Sequence, residues 1–282
     1  MSMSRIRSKL KKRYSAFEAH PLTRHRPVVA MLRYMRFNIS QSLFPGPRKF
    51  KWINDLSFYA QKGDAGIVPN IYYRLFDYED SMFILNSLNP NDLFVDVGAN
   101  VGHYTLLAAS KGANVIAIEP IPATFDKLER NVELNNLSDR VNCLMLGIGK
   151  EPGELEFISD RDVMNRVAGP SDSGGIKVPV ESLNTLLKDA TPKMIKIDVE
   201  GFELEVLHGA KDVLKSPDLK YLLIELNNSS SQYGSSDEQV YGLIRQSGFY
   251  PAKYQVDSDE LIRLDSYRTD KFNTLFVREN NK

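Results

Sequence analysis

From Asp92 to the end of the chain, short apolar segments alternate with longer segments of helical pattern. The apolar segments predict strands, and they read LFVDV, NVIAIEP, RVNCLML, KMIKIDVEG and YLLIELN. Helices are predicted over residues 101–111, 123–135, 181–188, 203–214 and 237–246. Strands that alternate with helices form a mostly parallel sheet that is covered on both faces. Two last strands, over 249–254 and 273–277, have no predicted helix between them, which indicates an antiparallel pair at one edge.

The first 50 residues differ in charge from the rest of the chain. Residues 1–51 contain 13 Lys or Arg and one acid, although the whole chain has a formal net charge of zero. The remainder is correspondingly acidic, so the charge is divided between two regions. We therefore assign residues 1–50 to a basic, partly helical extension and residues 51–282 to the main domain, whose core begins at about residue 70.

Apolar residues recur every three or four positions within this extension and predict one amphipathic helix that begins at Pro27. These residues are Val28, Leu32, Met35, Ile39 and Leu43. Two interpretations stay open. The helix lies on an anionic membrane surface, or the arm covers part of the main domain or is solvated. After the linker FPGP, residues 51–79 have a strand-like, aromatic pattern.

The composition excludes several classes of protein. No apolar run approaches the roughly 18 residues of a membrane span, and no signal peptide pattern follows the basic N-terminus. The chain has one cysteine, Cys143, in an apolar run, where a small buried side chain is expected. We expect a cytoplasmic protein, with peripheral membrane contact through the basic arm as an option, and the oligomeric state is left open.

The strand-to-helix turn in DLFVDVGANVGHYT is the first feature with chemical content. Gly98 and Gly102 allow a ligand to approach the backbone, and Asn100 tolerates a positive φ and suits a helix N-cap. Dinucleotides, phosphates and S-adenosylmethionine all bind at turns of this kind. The sequence GANVG lacks the three glycines of the dinucleotide fingerprint and also the phosphate-loop pattern. Asp96 would repel a pyrophosphate but attract an ammonium group, which favours S-adenosylmethionine.

A second acid supports this cofactor. Glu119 ends the next predicted strand, 23 positions after Asp96. An acid at about that spacing accepts hydrogen bonds from ribose hydroxyls in dinucleotide sites. Each acid alone could simply cap a helix or stay solvated, but at the ends of adjacent strands we expect them to bind one ligand.

Four segments together carry a resemblance to a known family. FVDVGANVGHYTLLAA, VIAIEP, KIDVEGFELEVLHGA and LLIEL occur in the order of FkbM-type S-adenosylmethionine-dependent methyltransferases, and the chain resembles that family from about residue 78 to residue 277. The resemblance implies an α/β, Rossmann-like class I methyltransferase fold, a mostly parallel seven-stranded sheet with an antiparallel C-terminal hairpin. It also implies O-methylation of a hydroxyl, often on a sugar, glycan or polyketide.

The resemblance also implies roles for individual residues. Asp96, Gly98, Asn100 and Gly102 would form the cofactor turn, and Glu119 would hold the ribose. Ile148 or Gly149 would border the adenine. Asp198 would lie near the methionine end of the cofactor and the transferring methyl group.

Methyl transfer to oxygen needs positioning and gains from a base that removes the hydroxyl proton. The segment IKIDVEGFE offers Asp198, Glu200 and Glu203, of which we assign Asp198 or Glu200 to the acceptor as catalytic residues. His208 is expected to pack or cap beside Gly209, with a proton role as the less favoured interpretation. Asp198 and Glu225 could together bind a divalent cation, but strand-end carboxylates are common and we favour no metal.

Two classes of function remain. The favoured one is an O-methyltransferase for a sugar, glycan or glycosylated small molecule, with no nucleic-acid partner expected. The alternative is a non-catalytic α/β binding module whose basic arm contacts a membrane or nucleic acid. The Gly- and Ser-rich loop around residues 166–175, between hairpin strands predicted over 154–157 and 176–180, and the segment before Asp80 are expected to shape the acceptor pocket.

Overall fold

The structure is a computed structural model, and it describes residues 3–158, 166–168 and 174–279. The chain forms two compact units, Met1–Tyr78 and Glu79–Lys282. Residues 51–78 thus group with the N-terminal helices, whereas the sequence placed a boundary at residue 50. None of the helices in the described residues is long and apolar enough to cross a membrane.

The N-terminal unit consists of helices and one antiparallel hairpin. Its elements are α1 (Met3–Ala19), α2 (Pro27–Leu43), β1 (Arg48–Lys51), β2 (Ser57–Ala60) and α3 (Pro69–Tyr73). Helix α2 begins at Pro27, as predicted, because proline suits the first helical turn, where its missing N–H is not needed.

Aromatic residues form the interior of this unit. Phe17 is fully buried, and its ring centroid lies 4.8 Å from that of Tyr73. The prediction of strands for residues 51–79 is wrong beyond Ala60, because Pro69 opens helix α3. Tyr72 and Tyr73 are buried from that helix, so they serve packing between helices and not a sheet.

The second unit is built around an eight-stranded sheet of order β5-β4-β3-β10-β11-β14-β12-β13. Its strands, in chain order, are β3 (Leu93–Val97), β4 (Asn114–Ile118), β5 (Val141–Leu144), β10 (Met194–Ile197), β11 (Tyr221–Glu225), β12 (Phe249–Gln255), β13 (Glu260–Arg263) and β14 (Asn273–Arg278). Strands β5 to β11 in this order are parallel. Strand β14 is antiparallel to both β11 and β12, which confirms the predicted C-terminal pair. The edge strand β13 is an eighth strand that the sequence did not predict.

Helices precede, connect and follow the parallel strands. They are α4 (Tyr78–Ser87), α5 (His103–Ser110), α6 (Pro122–Leu134), α7 (Leu183–Leu186), α8 (Glu203–His208) and α9 (Asp237–Gln246), with 3₁₀ turns at Val213–Lys215 and Ser229–Tyr233. Helix α8 is shorter than the helix predicted over 203–214. It ends at His208, and at the next residue, Gly209, a Cβ would lie 2.1 Å from the carbonyl oxygen of Gly149.

A second, four-stranded sheet has the order β6-β9-β7-β8. Its strands are β6 (Gly147–Ile148), β7 (Gly153–Ile158), β8 (Arg166–Val167) and β9 (Ile176–Glu181). Strands β7 and β9 are antiparallel, as predicted for that hairpin. Residues 169–173, half of the Gly- and Ser-rich loop that was expected to shape the acceptor pocket, lie outside the described residues.

Candidate active site

The candidate site lies beside β3, where the order in which the chain adds strands to the sheet reverses its direction. The chain adds β4 and β5 on one side of β3, and then β10 and β11 on the other side. Because β4, β3, β10 and β11 are parallel neighbours, their carboxyl ends meet at one edge of the sheet. Ligands of open α/β sheets bind at such a reversal point.

The glycine turn after β3 has positive φ angles at Gly98 (+77°), Asn100 (+50°) and Gly102 (+97°). The sequence indicated tolerance of such an angle at Asn100, whereas it attributed the two glycines to close approach of a ligand. Gly98 is required by the protein itself, because a Cβ there would lie 1.9 Å from the carbonyl oxygen of Asp198. Gly102, not Asn100, precedes the first residue of α5, so the predicted N-cap at Asn100 is wrong. The Asn100 side chain instead accepts a hydrogen bond from the N–H of Val101 at 2.8 Å.

Glu119 follows β4 and is 4% exposed. Its two carboxylate oxygens accept hydrogen bonds from the N–H groups of Asn100, at 3.0 Å, and Ile121, at 3.1 Å. Burial raises the pKa of Glu119 to about 7, and these two hydrogen bonds oppose the shift. Glu119 therefore ties the glycine turn to the end of β4, and each oxygen retains the capacity for a second hydrogen bond.

Asp96 is buried beneath the turn, with 1% of its surface exposed. Its Oδ2 accepts a hydrogen bond of 2.7 Å from the Thr105 hydroxyl, whereas its Oδ1 has no hydrogen-bond partner among the described residues. Burial raises the pKa of the Asp96 carboxyl, and the charge of Lys196 opposes this shift.

Lys196 is a buried residue of β10 whose role the sequence did not predict. Its Nζ donates to the carbonyl oxygen of Gly98 at 2.8 Å and lies 3.1 Å from Oδ2 of Asp198 and 3.7 Å from Oδ1 of Asp96. The sequence around Lys196 does not indicate this role, because the residues that it contacts come from β3, from the turn after β3 and from the loop after β10. Lys196 connects the glycine turn to the acids beyond β10.

Three carboxylates converge beyond β10 and β11. Asp198, Glu200 and Glu225 each offer an oxygen atom, and these atoms lie within 4.8 Å of one another. We call these three residues the acidic cluster. The structure thus brings the two predicted catalytic residues together and adds Glu225, although Asp198 and Glu200 lie past the end of the strand, where the alternation of side chains no longer applies.

The acids of the cluster have raised pKa values. Burial raises the pKa of Glu225 to about 10, with Asp198 and Glu200 adding to the shift, and its Oε2 has no hydrogen-bond partner in the described part of the chain. Burial, followed by the charge of Asp198, raises the pKa of Glu200 to about 7. The raised pKa of Glu225 favours its protonated form at neutral pH, and the pKa of Glu200 lies near neutral pH.

Two other acid–base candidates have structural partners. Glu203 is buried, and its Oε1 accepts hydrogen bonds from the N–H groups of Val199 and Gly201. His208 ends α8, with its Nδ1 at 3.4 Å from a carboxylate oxygen of Glu205. This pair gives the His208 side chain a structural partner, and the prediction that His208 packs or caps beside Gly209 stays a prediction.

The remaining predicted residues lie within β5 or after it. Ile148 is buried in the main core cluster, and Gly149 lies against Val180, where a Cβ would approach within 3.1 Å. Cys143 is half-buried, not fully buried as expected, and burial raises the pKa of its thiol to about 12. A thiol with such a pKa is a poor nucleophile.

The donor set of this edge fits S-adenosylmethionine. Asp96 and Glu119 are acids at the ends of adjacent strands, and Oδ1 of Asp96 is a buried acceptor in need of a donor. Acids suit a cofactor that has an ammonium group, a sulfonium and a ribose diol but no phosphate. The strand order, the antiparallel end of the sheet and this acid-flanked turn define a class I S-adenosylmethionine-dependent methyltransferase.

Comparison with known proteins specifies the family. The model of the methyltransferase FkbM domain family matches residues 96–251, which is more than half of the chain. The protein therefore belongs to the FkbM methyltransferase family, and this membership favours an enzyme over the non-catalytic binding module.

Curated relatives align with a similar share of the chain, between 56% and 66% of its length. This chain is 29% identical over 197 residues to the hexuronic acid methyltransferase AglP of Haloferax volcanii. That alignment covers 66% of this chain and 78% of the relative. The chain is 26% identical to the 31-O-demethyl-FK506 methyltransferase FkbM of Streptomyces tacrolimicus, over 66% of this chain and 83% of the relative. Methyltransferase sdnD of Sordaria araneosa is 30% identical, over 56% of this chain and 73% of the relative.

Proposed function

We propose that the protein transfers a methyl group from S-adenosylmethionine to a hydroxyl of a sugar, a glycan or a glycosylated small molecule. The observation that carries this proposal is the acidic cluster, which lies one strand away from the glycine turn. The names of two relatives support it, since one is a hexuronic acid methyltransferase and the other is a 31-O-demethyl-FK506 methyltransferase.

Two acids at the ends of adjacent strands, Asp96 and Glu119, would hold the cofactor. Glu119 would accept hydrogen bonds from the ribose hydroxyls with the lone pairs that its backbone contacts leave available. Asp96 would attract the ammonium group through Oδ1, and Ile148 or Gly149 would border the adenine. When bound, S-adenosylmethionine supplies an electrophilic methyl group on a positively charged sulfur.

The acidic cluster would bind and deprotonate the acceptor hydroxyl. Protonated Glu225 donates a hydrogen bond to an acceptor oxygen, whereas ionised Glu200 accepts the proton of the reacting hydroxyl. A base with a pKa near the working pH combines a sufficient ionised fraction with a useful driving force. Glu200 is therefore the preferred base, and Asp198 orients the hydroxyl beside it.

This assignment does not require a metal ion. A divalent cation at the acidic cluster is the alternative, because carboxylate oxygens are suitable ligands for Mg²⁺ and Ca²⁺. Dialysis against a chelator distinguishes the two mechanisms. Full activity after dialysis supports Glu200 as a base without metal, whereas activity that is lost and restored by Mg²⁺ assigns the cluster to a cation.

Calorimetric titration with S-adenosylhomocysteine tests the cofactor site, and folded protein that binds none of it would refute this assignment. The acceptor is tested by incorporation of labelled methyl groups into free hexuronic acids, neutral hexoses and glycosylated small molecules. We expect labelled O-methyl ethers from at least one of these classes. Methylation confined to amines or to carbon would contradict the proposed chemistry.

A further inference from the structure

Helix α2 has an inverted distribution of apolar residues. Its buried residues are Ala30, Phe37 and Gln41. On the opposite side, five apolar residues follow one another at spacings of three or four and are exposed: Val28 by 57%, Leu32 by 60%, Met35 by 43%, Ile39 by 56% and Leu43 by 67%. We call these five residues the outer stripe. They are the residues that define the predicted amphipathic helix, so its most apolar face points to solvent.

The N-terminal unit does not need the outer stripe for its own interior. Helix α2 packs through its other face, where the ring of Phe37 contacts Phe50 at 5.7 Å and the ring of Tyr34 contacts Tyr72 at 5.3 Å. Contiguous apolar patches of this kind on a protein surface mark an interaction site. Phe44, which is 65% exposed, extends the stripe past the end of the helix.

Positive charge surrounds the stripe. Arg24 and Arg26 are exposed just before the helix, and Arg36 is exposed on the helix beside Leu32 and Ile39. At the other end, the guanidinium of Arg48 lies 5.7 Å from the centroid of the Phe44 ring. The chain places 13 basic residues and one acid within residues 1–51. An apolar stripe with a basic border complements an anionic lipid surface, which supplies both acyl chains and phosphates.

The length of the helix indicates how it meets the lipid. Helix α2 has 17 residues with Arg33 and Arg36 near its middle. Like the other helices of the described residues, it is not long and apolar enough to span a membrane. A helix of this kind lies in the plane of the membrane interface, with its apolar side chains at the boundary of the acyl chains. Arginine side chains at its edges reach the phosphates while their aliphatic parts stay in apolar surroundings.

We propose that α2 is a peripheral membrane anchor, which inserts the outer stripe into an anionic bilayer while Arg24, Arg26 and Arg36 contact lipid phosphates. The occupant of the stripe is thus a lipid surface and not a protein. This role is independent of the cofactor and the acceptor, so vesicle binding and methyl transfer can succeed or fail separately.

Cosedimentation of the full chain with vesicles tests the proposal. The probes are phosphatidylcholine vesicles with and without phosphatidylglycerol, at low and at high salt. We expect binding to the vesicles that contain phosphatidylglycerol, with affinity that falls as salt rises because the lipid charge is screened. The double variant Leu32→Ser with Ile39→Ser should bind roughly tenfold more weakly or worse, since it removes apolar contacts with the bilayer.

A matched control separates the stripe from apolar exposure in general. The double variant Ile262→Ser with Phe272→Ser changes two exposed apolar residues of the second unit and should bind as wild type does. Thermal unfolding of both double variants verifies that each is folded. The proposal is overturned if wild type ignores anionic vesicles, or if the stripe variant binds them as wild type does. A dimer that the stripe variant loses in light scattering, without vesicle binding, would assign the stripe to a second copy of the chain.

Discussion

The two halves of the candidate site use their carboxylates differently. In the glycine turn, both oxygens of Glu119 accept backbone N–H groups and one oxygen of Asp96 accepts the Thr105 hydroxyl. In the acidic cluster, Glu225 has an oxygen without a hydrogen-bond partner among the described residues and a pKa of about 10. Three of the four carboxylate oxygens of Glu119 and Asp96 therefore hold the geometry of the turn, and the fourth, Oδ1 of Asp96, is left for a ligand. The acidic cluster instead gathers three carboxylates at one place. The first half is a scaffold for the cofactor, and the second half is suited to chemistry.

The strongest test of the scaffold half is Gly98→Ala. A Cβ at Gly98 would lie 1.9 Å from the carbonyl oxygen of Asp198, and the φ of +77° already disfavours a side chain. Either β3 or the loop after β10 must shift. We expect a loss of more than about 4 kcal/mol in the free energy of unfolding. Urea unfolding measures the stability, and titration with S-adenosylhomocysteine should detect no binding.

Gly242→Ala is the matched control for this prediction. Gly242 lies within α9, and nothing would lie within 4 Å of its Cβ. Alanine there should raise the free energy of unfolding by roughly 0.5–1 kcal/mol, because it favours the helix over the unfolded chain. Equal stability of the two variants would show that Gly98 is not confined by the backbone around it.

The strongest test of the chemical half is Glu200→Gln. Without a base at this position, turnover should fall by roughly 10²–10⁴-fold, while the affinity for S-adenosylhomocysteine stays within about twofold. Steady-state kinetics and calorimetry measure the two quantities. The control is Glu205→Gln, which changes an acid on α8 that pairs with His208. Turnover of Glu200→Gln at the wild-type rate would exclude Glu200 as the base and leave Asp198 as the candidate.

The sequence predicted the local parts of this site because each has a local cause. Strand β3 occupies the predicted residues 93–97, and Asn100 has the positive φ that its residue type tolerates. The convergence of Asp198 and Glu225 follows from parallel strands whose carboxyl ends meet at one edge. The family resemblance implied a mostly parallel seven-stranded sheet with an antiparallel C-terminal hairpin, and the structure adds an eighth strand at its edge.

Features with distant causes were not predicted. Strand β13 has four exposed residues, so it lacks the alternation that marks a half-buried strand. Helix α3 was mistaken for a strand, because its aromatic residues suit both structures. Gly98 was attributed to room for a ligand, whereas the atom that requires it is a carbonyl oxygen 100 positions later in the chain.

Lys196→Met tests the connection between the two halves. The charge of Lys196 lowers the pKa of both Asp96 and Glu200, so its removal should raise both pKa values. The rising limb of kcat/KM against pH should therefore move to higher pH, by about one unit. Lys193→Met is the control, because Lys193 pairs with Asp92 before β3, at the opposite ends of the strands. An unshifted pH profile in Lys196→Met would mean that the lysine only packs.

The smallest expected effect concerns Glu203, a buried acid outside the acidic cluster, and the pH dependence of the free energy of unfolding. Burial raises the pKa of Glu203 to about 7, from 4.5 in the unfolded chain. Between these two values the folded state keeps a proton that the unfolded state releases, so rising pH lowers the free energy of unfolding. One such group contributes at most about 1.4 kcal/mol per pH unit. Glu203→Gln should therefore lose stability less steeply than wild type between pH 5 and pH 7, roughly the window in which a single group of this kind titrates.

Urea unfolding at several pH values measures this slope, with Glu129→Gln, an exposed acid of α6, as the control. His103 acts in the opposite direction in wild type, because burial lowers its pKa to about 3 and the unfolded chain binds the proton instead. This contribution is common to wild type and both variants, so the difference between their slopes isolates Glu203. Slopes that do not differ would mean that Glu203 is ionised in the folded protein. Its two backbone hydrogen bonds would then hold a carboxylate, as those of Glu119 do in the turn at a pH above its pKa of about 7.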